Sequence, residues 1–500
     1  MGDKSRAMQG RVTDRETSPT ATLFVDAGNP IGAMRPLHGA AGMPGPARGA
    51  EQIPDVSRVW ESARLRLVRT YDWVSRLDTV DNPNSLFPTW SADPQDPASY
   101  NFDATDSWVR QVQAIGADIL FTIASSVPSN KRPASDLVKY EQVVENIVRH
   151  YVDGWGGGGF IDAVTRWEFG DQPDFGTLHF DGTPDDFYQM YAAAARAVKR
   201  VSPELQFGGP CPAFPLDDGP YRDGFLDFVK QNKLPLDFFT WMWFTDDSRD
   251  PLDFRTVATT LRDILDAQGF DSTELLLVYW NMTGIPNAKF TDADAAAFQA
   301  AAAAYMQDSP IDRAILFRVD TGTDLHYKIH DPAGIFDADG SENARTASFR
   351  LVGRTLDARE RLGVQGGDDN GFAVLAGRTF SNGTIRILIT NYAIPDAYLA
   401  PRDRDVFEFQ VPIDSIRADM SFTVPPRRPH ATSARLTGYS LQVTNLPWGT
   451  GAHEIVRYRV DDTENGGIVG TSTGHGGTAT VQGGLAAPAV ELIEIRPVRS

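Results

Sequence analysis

Val164-Thr165-Arg166-Trp167-Glu168-Phe169, then Gly182-Thr183-Pro184-Asp185-Asp186-Phe187, then Leu205-Gln206-Phe207-Gly208-Gly209 read as strand, helix start and strand in turn. The two outer runs are short and apolar on both faces, as in a parallel sheet covered by helices. Between them Thr183 reads as an N-cap, with Pro184 at the first helical position and Asp186 at the third. Phe187, Tyr191, Ala195 and Val198 then recur on one face of the predicted helix. The alternation continues outward. Strands are predicted at Met34–His38, Leu65–Tyr71, Asp118–Ala124, Val164–Phe169, Leu205–Gly209, Phe238–Phe244, Leu275–Trp280 and Ala314–Val319. Further helices are predicted at Ser135–Tyr151, Asp253–Gly269, Asp292–Met306 and Arg345–Leu362. Eight strands interleaved with helices predict an α/β fold, the (β/α)8 TIM barrel, over residues 20–365.

After about residue 370 the helical period disappears. Phe372–Phe380, Thr384–Tyr392, Val406–Val411, Ala434–Thr444, Glu454–Val460 and Ala489–Ile495 read as strands separated by turn clusters such as Ser381-Asn382-Gly383. This predicts a C-terminal β-sandwich domain over residues 366–500. Residues 1–19 read as a flexible N-terminal segment. A strand at 20–27 precedes the barrel and is free to join the sandwich. Asn465–Gly484, rich in Gly, Ser and Thr, reads as a long mobile loop or hairpin.

The chain has 47 basic and 66 acidic residues, a net charge of −19, which opposes a nucleic-acid partner and suits a neutral ligand. A hydrophobic content of 41% is that of a globular protein and no run is long enough for a membrane span. Cys211 is the only cysteine, so an internal disulfide and a thiolate metal cluster are both excluded. Met1 to Pro19 lacks an apolar core of the secretory type, which makes a cytoplasmic location the expectation. His326 and His330 are spaced four apart but lack a third ligand, and Gly156–Gly159 lacks the Lys-Ser/Thr of a phosphate loop. No metal and no cofactor are expected.

Two strand ends carry the chemistry: Trp167-Glu168-Phe169-Gly170-Asp171-Gln172-Pro173-Asp174 and Leu275-Leu276-Leu277-Val278-Tyr279-Trp280-Asn281. Between and beyond them come Gly182-Thr183-Pro184, Gly208-Gly209-Pro210, Val443-Thr444-Asn445-Leu446-Pro447 and Tyr458-Arg459-Val460-Asp461. In this order the segments resemble glycoside hydrolase family 39, of the large retaining-glycosidase clan, which includes β-xylosidases and α-L-iduronidase. The resemblance implies a barrel followed by a β-sandwich and a glycoside or oligosaccharide substrate. It also implies a catalytic glutamate at the end of strand 4 and another at the end of strand 7. Here those positions hold Gln172 and Tyr279, and Asp171 stands where the family has asparagine. Strand 6 ends in Trp241-Met242-Trp243-Phe244, where the family often has histidine and tyrosine.

Retaining hydrolysis needs a nucleophilic carboxylate and a carboxylic acid about 5 Å apart. Gln172 has no ionisable proton, so the ordinary mechanism is excluded. The chain is expected to cleave or transfer a glycosidic bond by another route. Asp171, Glu168 and Tyr279 are the catalytic candidates. Asp171 sits at the C-terminal mouth of the barrel, and the alternative is a loop aspartate holding the Pro173 turn. Glu168 is equally readable as a buried partner of Arg66 or Arg69. Tyr279 is a nucleophile, proton donor or hydrogen-bond partner, tyrosine nucleophiles being known in sialidases. Gln172, Trp280, Asn281, Arg69, Asp72, Trp241, Trp243, Phe244 and Asp320 are the substrate-binding candidates, the aromatic ones by stacking on a sugar. A rim salt bridge is the alternative for Arg69 and Asp72, core packing for Trp241, Trp243 and Phe244, and a solvated acidic rim for Asp320. Two other function classes stay open: a non-catalytic sugar-binding protein, and a uronate eliminase using Tyr279, for which Arg69 and Arg318 would clamp the carboxylate.

Overall fold

The computed structural model describes residues 19–46, 53–70, 85–123, 132–284, 289–324, 329–330, 333–399, 406–413, 416–426, 428 and 436–498. Strands Gly39–Ala41, Leu67–Arg69, Asp118–Thr122, Arg166–Glu168, Gln206–Pro210, Phe238–Phe244, Glu274–Asn281 and Arg313–Leu316 form a closed parallel barrel. Leu67, Leu120, Phe238, Leu276 and Ile315 fill its interior. Val68, Phe121, Trp167, Phe239 and Leu277 pack outward in the layer shared with the helices. This is the two-face burial that the apolar runs imply.

The quoted repeat forms as its sequence dictates. Thr183 Oγ1 accepts from Asp186 N at 3.2 Å, and Asp186 Oδ2 accepts from Thr183 N at 2.9 Å, closing a capping box ahead of the helix Pro184–Val201. Phe187, Tyr191, Ala195 and Val198 are all buried.

The first barrel strand is not Met34–His38, which is irregular, but Gly39–Ala41. A Cβ on Gly39 would lie 2.7 Å from the Ala314 carbonyl oxygen. The strand is therefore built of small residues, which give no apolar-run signal. The helix predicted over Arg345–Leu362 is Ala344–Leu356, and Glu360–Gln365 is instead a strand.

Beyond the barrel lies a nine-stranded sheet. From one edge its strands are Asn465–His475, Ala452–Val460, Ala489–Pro497, Ile385–Asn391, Phe372–Arg378, Glu360–Gln365, Thr20–Ala33, Gly438–Thr444 and Ala479–Gly484. The N-terminal strand joins it, parallel to Gly438–Thr444 and antiparallel to Glu360–Gln365. Leu23, Leu441 and Val481 share one core with Ile387, Ile455 and Ile493. The first three residues lie toward one edge of the sheet and the last three toward the other, with Leu362, Phe372 and Ala376 of the strands between them in the same core. Asn465–Gly484 is not a mobile loop: it supplies strands at the two opposite edges. Among the described residues Val406–Ile413 pairs with Ile416–Thr423 alone, as a ribbon separate from the nine-stranded sheet.

The helix Asp292–Met306 joins the two halves. Every residue from Ala295 to Met306 is buried. The Ala297 carbonyl accepts from Thr390 Oγ1 of the sandwich at 3.1 Å, and Phe298 meets Tyr392 at 5.5 Å between ring centres. A helix apolar all round is buried on all sides, and its alanines let both neighbours approach closely. No described helix is long and apolar enough to cross a membrane.

Candidate active site

The ends of strands 4 to 8 surround a cavity of about 240 Å³. Three local features of backbone aim the residues there. Gly170 has φ +115°, and a Cβ on it would stand 2.2 Å from the Pro210 carbonyl oxygen. Only glycine fits this bend. Two residues on, Gln172 is left-handed at φ 52° and its N–H donates to the Cys211 carbonyl at 2.8 Å. In strand 7, Leu277 pairs with Trp241 while Tyr279 pairs with Met242, leaving Val278 as an extra residue. That bulge lets Val278 and the following Tyr279 both join the barrel interior.

A charged cluster lies beneath the cavity. Arg69, at the end of strand 2, donates through Nε to Glu168 Oε2 at 2.7 Å and through Nη2 to Asp171 Oδ1 at 3.3 Å. Thr122 Oγ1 donates to the same Glu168 oxygen at 2.6 Å. The Arg69 guanidinium carbon stands 4.3 Å from the centre of the Tyr279 ring, a cation–π contact. Arg69 is 1% exposed and Glu168 0%. Burial opposes the arginine's charge, yet Glu168, Tyr279 and Asp171 outweigh it and hold the guanidinium well above its ordinary range. Glu168 Oε1 and Asp171 Oδ2 are buried without a hydrogen-bond partner. Cys211 Sγ approaches Asp171 Oδ1 at 3.7 Å, and burial pushes its thiol well up, away from thiolate chemistry.

Gln172, Trp243, Phe244 and Tyr279 line the cavity, as does Asp246. The Asp246 carboxylate accepts from Thr283 Oγ1 and, at 3.1 Å, from Gly284 N. Glu168 and Asp171 do not line the cavity, since Arg69 holds them below it. Four expected sugar contacts are otherwise employed. Trp241 and Trp280 belong to the outer core, because alternation turns them toward the helices, and Trp280 packs edge-on against Phe254 at 5.3 Å. Asn281 Nδ2 donates to the Phe317 and Ala333 carbonyls at 2.7 and 3.1 Å, tying strand 7 to the loops beyond strand 8. Asp320 accepts from Arg318 at 2.6 and 2.8 Å and from Gly322 N, a buried ion pair. Asp72 and His326 lie outside the described residues. Among the described residues no group of three His, Cys, Asp or Glu is placed to hold a metal.

Most of the cavity wall was not singled out from the sequence. Phe175, Phe214, Phe317 and Phe422 supply it. Phe214 is held by Asp174, whose carboxylate accepts the Ala213 and Phe214 N–H groups at 2.7 and 2.8 Å. Their one available signal is position shortly after a strand end, and Phe422 lacks even that.

Residues 108–250 match the profile of Glycosyl hydrolases family 39. The chain is 64% identical to a glucosidase from Croceicoccus marinus, with a TM-score of 0.93 over 97% of this chain and 100% of that one. A curated β-xylosidase from Geobacillus stearothermophilus is 30% identical over 111 residues, 22% of this chain, so the match spans only 21% of that enzyme. The GH39 enzyme from Xanthomonas axonopodis pv. citri shares the fold, with a TM-score of 0.69 at 13% identity over 98% of this chain and 100% of that one.

Proposed function

Because this chain belongs to glycosyl hydrolases family 39, a family of glycosidases, we propose that it cleaves or transfers a glycosidic bond in the barrel-mouth cavity without the usual pair of glutamates. The placement of Arg69 carries this reading. One buried cation lies over the Tyr279 ring and holds both Glu168 and Asp171. That charge stabilises an anion developing on the Tyr279 oxygen, which is what a tyrosine nucleophile or acid needs. Glu168 and Asp171, below the cavity, fix Arg69 against the Tyr279 ring. Gln172 donates to or accepts from a substrate oxygen.

Turnover of a panel of aryl and oligomeric glucosides and xylosides, with the anomer of the first product read by NMR, tests the proposal. Turnover is expected from the wild type and its loss from Tyr279→Phe. The second reading, a sugar-binding protein without catalysis, is favoured by one observation: neither Asp171 nor Glu168 lines the cavity. Intact glycoside binding with no turnover on the whole panel would select it. The eliminase reading has less support, because Arg69 and Arg318 are each already paired with buried acids.

A further inference from the structure

The cavity is chemically two-sided. Gln172, Asp246 and Tyr279 bring polar groups to it, whereas Phe175, Phe214, Phe422 and Trp243 form a continuous aromatic wall. The ring centres are 5.0 Å apart from Phe175 to Phe214, 4.9 Å from Phe214 to Phe422 and 6.2 Å from Phe422 to Trp243. Phe422 does not come from the barrel. It lies on the strand Ile416–Thr423 of the separate ribbon, which is pinned to the barrel by its next residue, where Thr423 N donates to Asp217 Oδ1 at 2.8 Å. A few residues on, Arg428 grips Asp250 through two hydrogen bonds of 2.9 and 3.0 Å. The wall is thus fixed against the loops after strands 5 and 6.

A sugar ring carries hydroxyls around its edge, and each loses water on burial. Burying a hydroxyl without a compensating hydrogen bond is costly, and phenylalanine side chains offer none. A second sugar unit could stack one face on this wall but would leave its edge hydroxyls unpaired, whereas an alkyl or aromatic group gains by burial over its whole surface. Resting on the glycoside-processing reading above, we propose that the substrate is a glycoside of an apolar aglycone. The sugar meets Gln172, Asp246 and Tyr279, and the aglycone lies on the aromatic wall that Phe422 completes. Phe422 is a specificity-determining residue lent by the C-terminal half of the chain.

Methyl, n-octyl and phenyl β-D-glucopyranoside, with cellobiose, test this by calorimetric binding and turnover on the full chain, in the wild type, Phe422→Ala and Phe422→Leu. Octyl and phenyl glucosides are expected to bind at least about tenfold more tightly than methyl glucoside or cellobiose. Phe422→Ala is expected to remove most of that advantage by weakening octyl and phenyl glucosides far more than methyl glucoside, and Phe422→Leu to keep much of it. The same pattern without any turnover supports the aglycone wall while refuting the enzymatic reading. Cellobiose bound or turned over as well as the octyl glucoside overturns the aglycone wall and leaves the enzymatic reading standing. An equal loss for methyl and octyl glucosides in both variants also overturns it, since that pattern marks a structural role for Phe422.

Discussion

Arg69 is the residue on which the site turns. A buried ion pair gives little net stability, but removing one partner strands the other, at about 3–5 kcal/mol. Here one cation serves two acids, and each acid already carries an oxygen without a hydrogen bond. Arg69→Met is therefore expected to lower stability by roughly 3–5 kcal/mol at neutral pH. Urea denaturation of both proteins at pH 7.5 measures this, and an unchanged stability would show that the two acids do not depend on the arginine. The sequence placed Glu168 evenly between catalysis and a pair with Arg66 or Arg69. Deciding between those needs the distance from strand 4 to strand 2, which spacing along the chain does not contain.

At the scale of elements, the segment Pro173–Leu178 after strand 4 holds the cavity wall through Asp174. Burial outweighs the two N–H groups that favour its charge and pushes its carboxyl up to about 6 from the ordinary 3.8. The folded form thus holds a proton that the unfolded chain has lost between these two values. Stability is expected to fall as pH rises from about 4 to about 6 and to level off above. Asp174→Asn should flatten that slope. At pH 7 the relief of removing a buried charge offsets the N–H group that the amide's single oxygen leaves unpaired, so the two proteins should differ little there. Thermal unfolding between pH 4 and 7 reads both effects, and an unchanged slope in the variant would reject the assignment. The regular elements around this segment were well legible: the capping box at Thr183 and the buried face from Phe187 to Val198 are local patterns. The first barrel strand was not, because Gly39-Ala40-Ala41 is selected for close approach and carries no periodic signal. The ribbon Val406–Thr423 misled for the opposite reason: it alternates like a sandwich strand, and nothing local says that it pairs with itself outside the nine-stranded sheet.

For the whole molecule, the Ala-rich helix Asp292–Met306 is the shared core of barrel and sandwich. Two domains that bury one helix between them are expected to unfold together. Scanning calorimetry should show a single transition whose calorimetric and van't Hoff enthalpies agree, and two resolved peaks would mean that the halves are separable. The sequence by itself determined the barrel, the strand-rich C-terminal half and the family resemblance, because periodicity, capping and motif order are properties of neighbouring residues. Only the tertiary structure decided which side chains face the cavity. A one-residue bulge turned Tyr279 inward while alternation turned Trp241 and Trp280 outward, and Asn281 and Asp320 were taken up by backbone and ion-pair contacts. It likewise decided that Phe422 belongs to the site, some two hundred residues along the chain from Phe214, since contact at that separation follows from how the domains pack and leaves no mark in local sequence.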